Sequence, residues 1–143
     1  MKKKILFLCT GNSCRSQMAE AWCRALQSDF FEAYSAGTEK HGMNPFAVQV
    51  MEELGIDMSR HYSKHVSELS ETDFDYVVTV CGNAHESCPA FPARSRVVHL
   101  PFEDPPKMAQ RYERAEEKLA CYRRVRDAIK LAIETLRERL ETA

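Results

Sequence analysis

The sequence predicts an α/β fold, in which residues 1–143 form a single domain with a three-layer α/β/α arrangement around a four-stranded parallel sheet. Two observations predict this class. Short continuous apolar runs, which are typical of strands buried on both faces of a parallel sheet, alternate with longer segments of helical periodicity. A chain of 143 residues also buries roughly 68–70% of its unfolded surface, so it can build one core without disulfides.

The first half of the chain contains two predicted strands, each followed by a predicted helix. Residues 3–10 (KKILFLCT) form an apolar run that leads into a loop, and residues 14–27 follow with apolar side chains at helical spacing. Residues 32–36 form a short second strand. Asn44 then caps a helix over residues 45–54, which has proline at its first position.

The second half contains two further strands and a long terminal helix. Residues 74–80 (FDYVVTV) are the strongest strand pattern, and residues 97–100 form a shorter one. Five of the six prolines lie between positions 89 and 106, so we expect mostly loop there. One continuous helix is expected over about residues 115–140, and the mixed charges at 111–126 are expected on its solvated face.

Three loops should meet at one edge of this sheet. In open parallel sheets, ligands bind beyond the carboxyl ends of the strands. Cys9, Cys81 and the loop of residues 101–105 each follow a predicted strand. The sequence therefore predicts that these three segments converge on one site.

Composition excludes several classes of protein. Twenty Lys plus Arg against twenty-one Asp plus Glu give a net charge of −1, which argues against a strongly basic nucleic-acid binder. No apolar stretch has the length of a membrane span or a secretory signal, so we expect a cytoplasmic protein with no membrane association. In a reducing compartment, six cysteines indicate redox, catalytic or metal chemistry rather than structural disulfides.

The segment from residue 9 to residue 16 (CTGNSCRS), called the oxyanion loop below, joins the first strand to the first helix. Backbone N–H groups in such a turn, together with the helix dipole, form a cradle for an anion. Gly11 allows close approach of the backbone, and the planar fork of Arg15 suits two oxygens of a tetrahedral oxyanion. The predicted oxyanion-binding residues are Thr10, Gly11, Asn12, Ser13, Cys14, Arg15 and Ser16.

Cys9 is the predicted nucleophile of this loop. Reactive cysteines in electropositive settings have a pKa of about 3.5–7.5, against about 8.5 for a free cysteine. The loop therefore predicts a depressed pKa for Cys9, with the Ser16 hydroxyl donating a hydrogen bond to its thiolate. A buried structural cysteine is the alternative.

The Cys-x5-Arg-Ser loop near the N-terminus, together with Glu103-Asp104-Pro105 late in the chain, resembles the pattern of the low-molecular-weight tyrosine phosphatases. The thioredoxin-coupled arsenate reductases share this pattern and scaffold. The resemblance covers essentially the whole chain and implies a phosphatase-like, flavodoxin-like topology. It also implies that Asp104 is the general acid that protonates the leaving oxygen.

Two further cysteines favour the reductase over the phosphatase. A phosphatase hydrolyses its cysteinyl-phosphate with water, whereas a reductase must take two electrons from protein thiols. The resemblance implies a relay through Cys9, Cys81 and Cys88, with arsenate as substrate, phosphate or sulfate as competing oxyanions, and thioredoxin as the reductant in place of a bound cofactor. If residues 81–88 were helical, the two Cα atoms would lie about 10 Å apart. Because a disulfide needs roughly 4.4–6.8 Å, this segment would have to unwind or loop out on oxidation.

Two other functions remain as alternatives. One is a low-molecular-weight tyrosine or phosphomonoester phosphatase without the thiol relay. The other is a metal-thiolate protein that uses Cys81, His85 and Cys88 as ligands. No fourth ligand is evident nearby, so we assign no metal site. We expect a monomer.

One departure from part of the family concerns a cation site. Some arsenate reductases hold potassium behind the loop, at positions matching Asn12, Glu20, Ser35 and an aspartate. This chain has Lys64 where the resemblance places that aspartate. We hypothesise that the Lys64 ammonium replaces the cation by pairing with Glu20 and polarising Asn12; the alternative is a surface lysine.

The remaining cysteines and histidines have simpler interpretations. Cys14 either forms a protective disulfide with Cys9, as the resemblance to the phosphatases implies, or fills the start of the helix. Cys23 and Cys121 are expected in the core. Four histidines without metal spacing are expected at the surface or in loops: His41, His61, His65 and His99.

Overall fold

A four-stranded parallel sheet forms the centre of the structure, a computed structural model that describes residues 2–70, 73–82, 88, 91–92 and 94–142. The strands are β1 (Lys3–Cys9), β2 (Phe31–Gly37), β3 (Tyr76–Thr79) and β4 (Arg96–His99). They lie in the order β2-β1-β3-β4, and each adjacent pair is parallel. The predicted α/β class and parallel sheet are confirmed.

This strand order determines where a ligand can bind. The chain leaves β1 toward β2 on one side and returns to β3 on the other, so β1 and β3 form a switch point whose carboxyl ends face a crevice. Residues 5–8 of β1 are fully buried. Because alternate side chains of a strand point to opposite faces, both faces of the sheet are covered around β1.

The helices pack mainly around one long helix near the C-terminus. The helices that the structure describes are α1 (Arg15–Leu26), α2 (Pro45–Glu52), α3 (Pro105–Ala109), α4 (Ala115–Glu134) and α5 (Leu136–Thr142), with a 3-10 turn at Val66–Glu68. α1, α2 and α3 each contact α4. Within the part of the chain that the structure describes, no helix is both long and apolar enough to cross a bilayer.

Asn44 caps α2, as the sequence predicts. Its side-chain oxygen accepts hydrogen bonds from the N–H groups of Phe46 and Ala47 at 2.9 and 3.2 Å. Its own backbone N–H donates to the Ser13 carbonyl at 3.0 Å. The start of α2 is therefore tied directly to the oxyanion loop.

The predicted continuous helix over residues 115–140 is interrupted at Thr135. The backbone of Thr135 departs from helical geometry, with φ −108° and ψ 20°. Its hydroxyl donates to the carbonyls of Leu131 and Ala132 at 3.4 Å. Such local side-chain bonds compete with the helical ladder, and the apolar periodicity that predicted the helix carries no information about them.

α3 is a helix where the sequence predicted loop. Pro105 and Pro106 occupy its first two positions, and proline is tolerated there because those N–H groups have no intrahelical partner. Asp104 is the N-cap residue of this helix. The prolines that predicted a loop therefore begin a helix, and they fix the position of Asp104.

Arg126 is buried, although the sequence analysis placed it among the solvated charges of the last helix. Its side chain is 9% exposed and pairs with Glu53 at 3.0 Å and with Asp127 at 2.8 Å. It also donates to the Val50 carbonyl at 2.9 Å. These bonds hold α2 against α4, so this position is structural and the expectation of a fully solvated face is wrong.

Candidate active site

One cavity of about 460 Å³ lies at the carboxyl ends of β1 and β3. Its walls come from three strand exits and one neighbouring segment: the oxyanion loop, Cys81 with Gly82, Asp104 with Pro106, and His41. Cys9, Cys81 and the segment that leads to Asp104 therefore converge, as the sequence predicted.

The peptide groups of the oxyanion loop are oriented by bonds to residues 38–44. The carbonyl oxygens of Cys9, Thr10, Gly11 and Ser13 accept, in that order, from the N–H groups of Thr38, Glu39, His41 and Asn44 at 2.7–3.1 Å. Because a trans peptide directs its N–H opposite to its carbonyl, the N–H groups that follow these carbonyls turn away from residues 38–44 and toward the inside of the loop. This is the orientation that an anion cradle needs.

Asn12 holds the middle of the oxyanion loop. It is fully buried and has φ +49°, a left-handed conformation that asparagine tolerates better than most residues. Its Oδ1 accepts from the backbone N–H of Lys64 at 3.0 Å and from Gln17 Nε2 at 2.9 Å. Its Nδ2 donates to Ser16 Oγ at 2.8 Å and to Ser35 Oγ at 3.1 Å. The backbone donor from Lys64 fixes which side of the amide is oxygen.

The orientation of the Asn12 amide determines which groups donate and which accept in a series of hydrogen bonds that ends at Cys9. Ser35 accepts from Asn12 and donates to the carboxylate of Glu20 at 2.5 Å. Ser16 likewise accepts from Asn12, which leaves its hydroxyl hydrogen to donate to Cys9 Sγ at 2.8 Å. A hydroxyl that donates to sulfur stabilises the thiolate over the thiol.

Burial nevertheless dominates the titration of Cys9. Burial raises the pKa of the Cys9 thiol above its ordinary value, and the nearby Cys81 adds to the increase. The Ser16 hydroxyl and the backbone N–H groups of Ser16 and Asn12 lower the pKa, with a smaller total effect. The predicted depressed pKa is therefore wrong in this structure, because the prediction counted the electropositive loop and omitted the cost of burying the charged form.

Ser16→Ala should make Cys9 less reactive toward a neutral alkylating reagent. Removing the hydroxyl donor raises the pKa of Cys9 further, so the thiolate fraction at a fixed pH falls by roughly ten- to a hundred-fold for a bond to a charged group. The rate of iodoacetamide modification of the Cys9 peptide, followed by mass spectrometry between pH 7 and pH 10, measures this. Ser35→Ala is the matched control. Ser35 bonds to Asn12 and Glu20 and reaches Cys9 only through them, so a smaller effect is expected. Equal rates for wild type and Ser16→Ala would contradict the assignment.

The side chain of Arg15 extends from the oxyanion loop to the segment before α3. Its Nη1 donates to the Phe102 carbonyl at 3.0 Å, and its Nη2 lies 3.8 Å from Asp104 Oδ2. Asp104 makes no capping hydrogen bond to α3 through its side chain, and its carboxylate lies at the cavity wall. A cation that can contact an oxyanion and a carboxyl group that can exchange a proton are thus adjacent.

Two cysteines share the cavity with Cys9. The Cys81 thiol is buried and lies 3.5 Å from the Thr10 hydroxyl. Cys14 is buried at the start of α1, and burial strongly raises the pKa of its thiol. The Cys14 thiol is free and close enough to Cys9 for the two groups to interact electrostatically.

The other three cysteines are not among the described residues that line this cavity. Cys88 is half-buried and packs against the core, and burial raises the pKa of its thiol. Cys23 and Cys121 are buried, as predicted, and burial raises the pKa of Cys23 to about 12. The predicted rearrangement between Cys81 and Cys88 depends on residues 83–87, which lie outside the described residues. His85 of the metal-thiolate alternative lies there too.

The direct ion pair predicted between Lys64 and Glu20 does not form among the described residues, although Glu20 opposes the lowering of the Lys64 pKa by burial. Among the described residues, Glu20 pairs with Arg24, one helical turn along α1, at 2.9 Å, and accepts from Ser35. The Lys64 ammonium instead donates to the Tyr62 carbonyl at 3.2 Å and lies 4.7 Å from the centre of the Tyr62 ring. Lys64 acts on Asn12 through its backbone N–H, which any residue at this position except proline could supply.

The sequence analysis did not identify Gln17 as a site residue. Gln17 is fully buried, and its Nε2 donates to the backbone and side-chain oxygens of Asn12 and to the Tyr62 carbonyl at 2.9–3.1 Å. His61 Nδ1 lies 2.8 Å from Gln17 Oε1, and burial lowers the pKa of His61, so this histidine is not a simple surface residue. The polar stripe of Gln17, Glu20 and Arg24 at helical spacing could have revealed this support.

His41 lies in a loop and is half exposed, as expected from the sequence, and it also lines the cavity, which the sequence analysis did not predict. Its ring lies against Gly11, where a Cβ atom would come within 2.2 Å of His41 Nδ1. Only the backbone contacts of residues 38–44 bring it there. Nothing in the local sequence indicates this long-range pairing.

Comparisons with known proteins agree with this geometry. Residues 4–143 match the model of the family described as low molecular weight phosphotyrosine protein phosphatase. An arsenate reductase of Halalkalibacterium halodurans is 50% identical over 137 residues, which are 96% of each chain. The solved structure of an arsenate reductase in the phosphate-binding state has a TM-score of 0.74 and 31% identity, and the match covers 95% of this chain and 96% of that one. A low molecular weight protein tyrosine phosphatase from T. tengcongensis has a TM-score of 0.73 and 27% identity, over 96% and 99% of the two chains.

Proposed function

Since the chain belongs to the low molecular weight phosphotyrosine protein phosphatase family, we propose that it is an arsenate reductase of that family, which uses a relay of Cys9, Cys81 and Cys88 and is regenerated by thioredoxin. The observation that carries this proposal is the presence of two thiols, Cys9 and Cys81, in one cavity that is built around an anion cradle. The 50% identical relative named arsenate reductase supports the same reaction.

The first step is attack on the bound oxyanion. Arsenate lies in the oxyanion loop, where inward N–H groups and the Arg15 guanidinium stabilise its charge. Cys9 releases its thiol proton to water and attacks arsenic as the thiolate, so that a sulfur–arsenic bond forms and one arsenic–oxygen bond breaks. Asp104 donates a proton to the departing hydroxyl group, which leaves as water. The short distance from Arg15 to Asp104 supports this division of roles.

The second step reduces arsenic. The Cys81 thiolate attacks Cys9 Sγ, so that a disulfide forms and the sulfur–arsenic bond breaks. The electron pair of that bond stays on arsenic, which changes from As(V) to As(III) and leaves as arsenite. The shared cavity and the electrostatic interaction between the two thiols support this transfer.

The third step replaces the Cys9–Cys81 disulfide by one that includes the more exposed Cys88. Cys88 attacks Cys81, which frees Cys9 and forms a Cys81–Cys88 disulfide. The dithiol of thioredoxin then reduces that disulfide and is itself oxidised, so the enzyme needs no bound cofactor. Cys88 is only half-buried, whereas Cys9 and Cys81 are buried, and this difference supports its role as the outermost thiol.

Phosphate and sulfate should compete for the cradle, because they match arsenate in shape and charge. A weak phosphatase activity follows as the second candidate function, since the oxyanion loop and Asp104 are sufficient to form and hydrolyse a cysteinyl-phosphate. What separates the two functions is Cys81, which hydrolysis by water does not need.

The test is arsenate-dependent NADPH consumption in the presence of thioredoxin and thioredoxin reductase. We expect turnover by the wild-type protein and its loss in Cys81→Ser. Hydrolysis of an aryl phosphate, assayed in parallel, should persist in Cys81→Ser because that reaction uses water instead of a second thiol. Unchanged NADPH consumption in Cys81→Ser would exclude the relay, and aryl phosphate hydrolysis without arsenate reduction would favour the phosphatase.

A further inference from the structure

His41 is held over the oxyanion loop by its own backbone and by its neighbours. Its N–H donates to the Gly11 carbonyl at 3.1 Å, and the preceding Glu39 N–H donates to the Thr10 carbonyl at 2.7 Å. Lys40, between them, pairs with Glu68 at 3.3 Å. The imidazole therefore has a fixed place at the cavity wall, although half of its side chain is exposed.

Gly11 provides the space for this ring. The described glycines with positive φ are Gly42 and Gly55, so the backbone conformation of Gly11 does not itself require glycine. A Cβ at Gly11 would lie 2.2 Å from Nδ1 and 2.6 Å from Cγ of His41. Any other residue at this position would displace the imidazole, and Nδ1 is the ring atom closest to the Cβ position of Gly11.

The contact that His41 Nε2 makes determines which nitrogen of the imidazole carries hydrogen. His41 Nε2 lies 2.8 Å from Glu39 Oε1, and a carboxylate can only accept, so Nε2 carries hydrogen. In the neutral ring Nδ1 is then an unprotonated acceptor, and it becomes a donor only when the ring gains a second proton. An anion in the loop favours that second proton, because it attracts the imidazolium and accepts from Nδ1–H.

The other charged and titratable groups that line the cavity supply little positive charge, so a protonated His41 would add a needed cation. They are Cys9, Cys14 and Arg15 from the oxyanion loop, Cys81 after β3 and Asp104 before α3. Arg15 is the only permanently charged cation of this group, and it is shared with Asp104 and the Phe102 carbonyl. A multiply charged oxyanion therefore meets a single, partly neutralised cation unless His41 is protonated.

We propose that His41 is an oxyanion-binding residue, in which the Glu39–His41 pair takes up a proton as the anion enters and Nδ1–H donates to one anion oxygen. The proposal rests on the proposed function for the site and for the class of anion. It makes His41 the second cationic contact beside Arg15, and it makes oxyanion affinity depend on pH through this residue.

The test measures the affinity of reduced protein for inorganic phosphate by calorimetry from pH 6 to pH 8.5, for wild type and His41→Gln. Glutamine keeps a polar group where Nε2 contacts Glu39 and removes Nδ1. The ratio of the two affinities at each pH cancels the titration of phosphate and of Cys9. We expect wild type to bind about tenfold more tightly or better at pH 6, and the ratio to fall toward one as the pH rises, because only the imidazolium can donate from Nδ1.

His65→Asn is the matched control. His65 caps the 3-10 turn at Val66–Glu68, is half-buried and does not line the cavity, and asparagine is a good cap, so its affinity ratio should stay near one at every pH. A second measurement uses the wild-type protein alone: the imidazole NMR signals of His41 should show a larger protonated fraction at pH 7.5 when phosphate is added.

The outcomes separate this proposal from the proposed function. A His41→Gln ratio that is near one at all pH values, or constant above one, overturns the role of His41 and leaves the anion cradle intact. Unchanged protonation of His41 on phosphate addition overturns it as well. Failure of the wild-type protein to bind phosphate at any pH overturns the cradle itself and, with it, the proposed function.

Discussion

Cys88→Ser should stop after a single turnover, with one arsenite released per protein molecule and a Cys9–Cys81 disulfide left behind. Without the third thiol, Cys81 cannot be released from Cys9, and the bridge joins two buried sulfur atoms that a protein reductant reaches poorly. Steady-state NADPH consumption with thioredoxin should therefore fall to background, although the first arsenite still forms.

Rapid quench of the reaction, with arsenite quantified and the disulfide mapped by mass spectrometry, measures this result. Cys121→Ser is the matched control, because it makes the same replacement at a buried cysteine on α4 outside the path, and it should turn over normally. Continued thioredoxin-driven turnover in Cys88→Ser would show that thioredoxin reduces the Cys9–Cys81 disulfide directly, which is incompatible with the relay.

Asp104→Asn should lower kcat for arsenate by about 10²–10⁴-fold, the usual contribution of a general acid. Asparagine keeps the size of the side chain and cannot donate an acidic proton to the departing oxygen. The KM should stay the same or fall, because Asp104 lies 3.8 Å from Arg15 and its removal leaves that guanidinium more available to the anion.

Glu103→Gln is the matched control for this change. Glu103 is the adjacent acid, but it pairs with Arg124 at the surface at 3.0 Å, so its loss should leave kcat within a few-fold of wild type. Steady-state kinetics of the two variants measure kcat and KM for arsenate. Equal effects at the two positions, or an unchanged kcat in Asp104→Asn, would remove Asp104 from the chemical step.

The elements of the fold could be predicted because their causes are local. The apolar run of β1 and the Asn44-Pro45 start of α2 each carry their explanation within a few residues, and both are found where the sequence placed them. The break at Thr135 and the helix after Asp104 were missed. Each depends on backbone hydrogen bonding, which side-chain periodicity does not report.

The residues that line the cavity were predicted more completely than the residues that hold them in position. Cys9 and Arg15 were predicted from the chemistry of the loop after β1, whereas the roles of Cys81 and Asp104 were predicted from the family resemblance together with their positions after strands. Gln17, which orients Asn12, was missed because a glutamine acquires its role only from what it touches.

The sequence by itself determined the order of the elements, the strand exits that meet and the thiols that are available. Only the tertiary structure decided how those groups behave. It reversed the expected direction of the Cys9 pKa, because burial is a property of the whole fold. It assigned Arg24 in place of Lys64 as the partner of Glu20, and it brought His41 onto Gly11. Pairing and desolvation depend on distances between residues far apart in the chain, and those distances exist only after the sheet has formed.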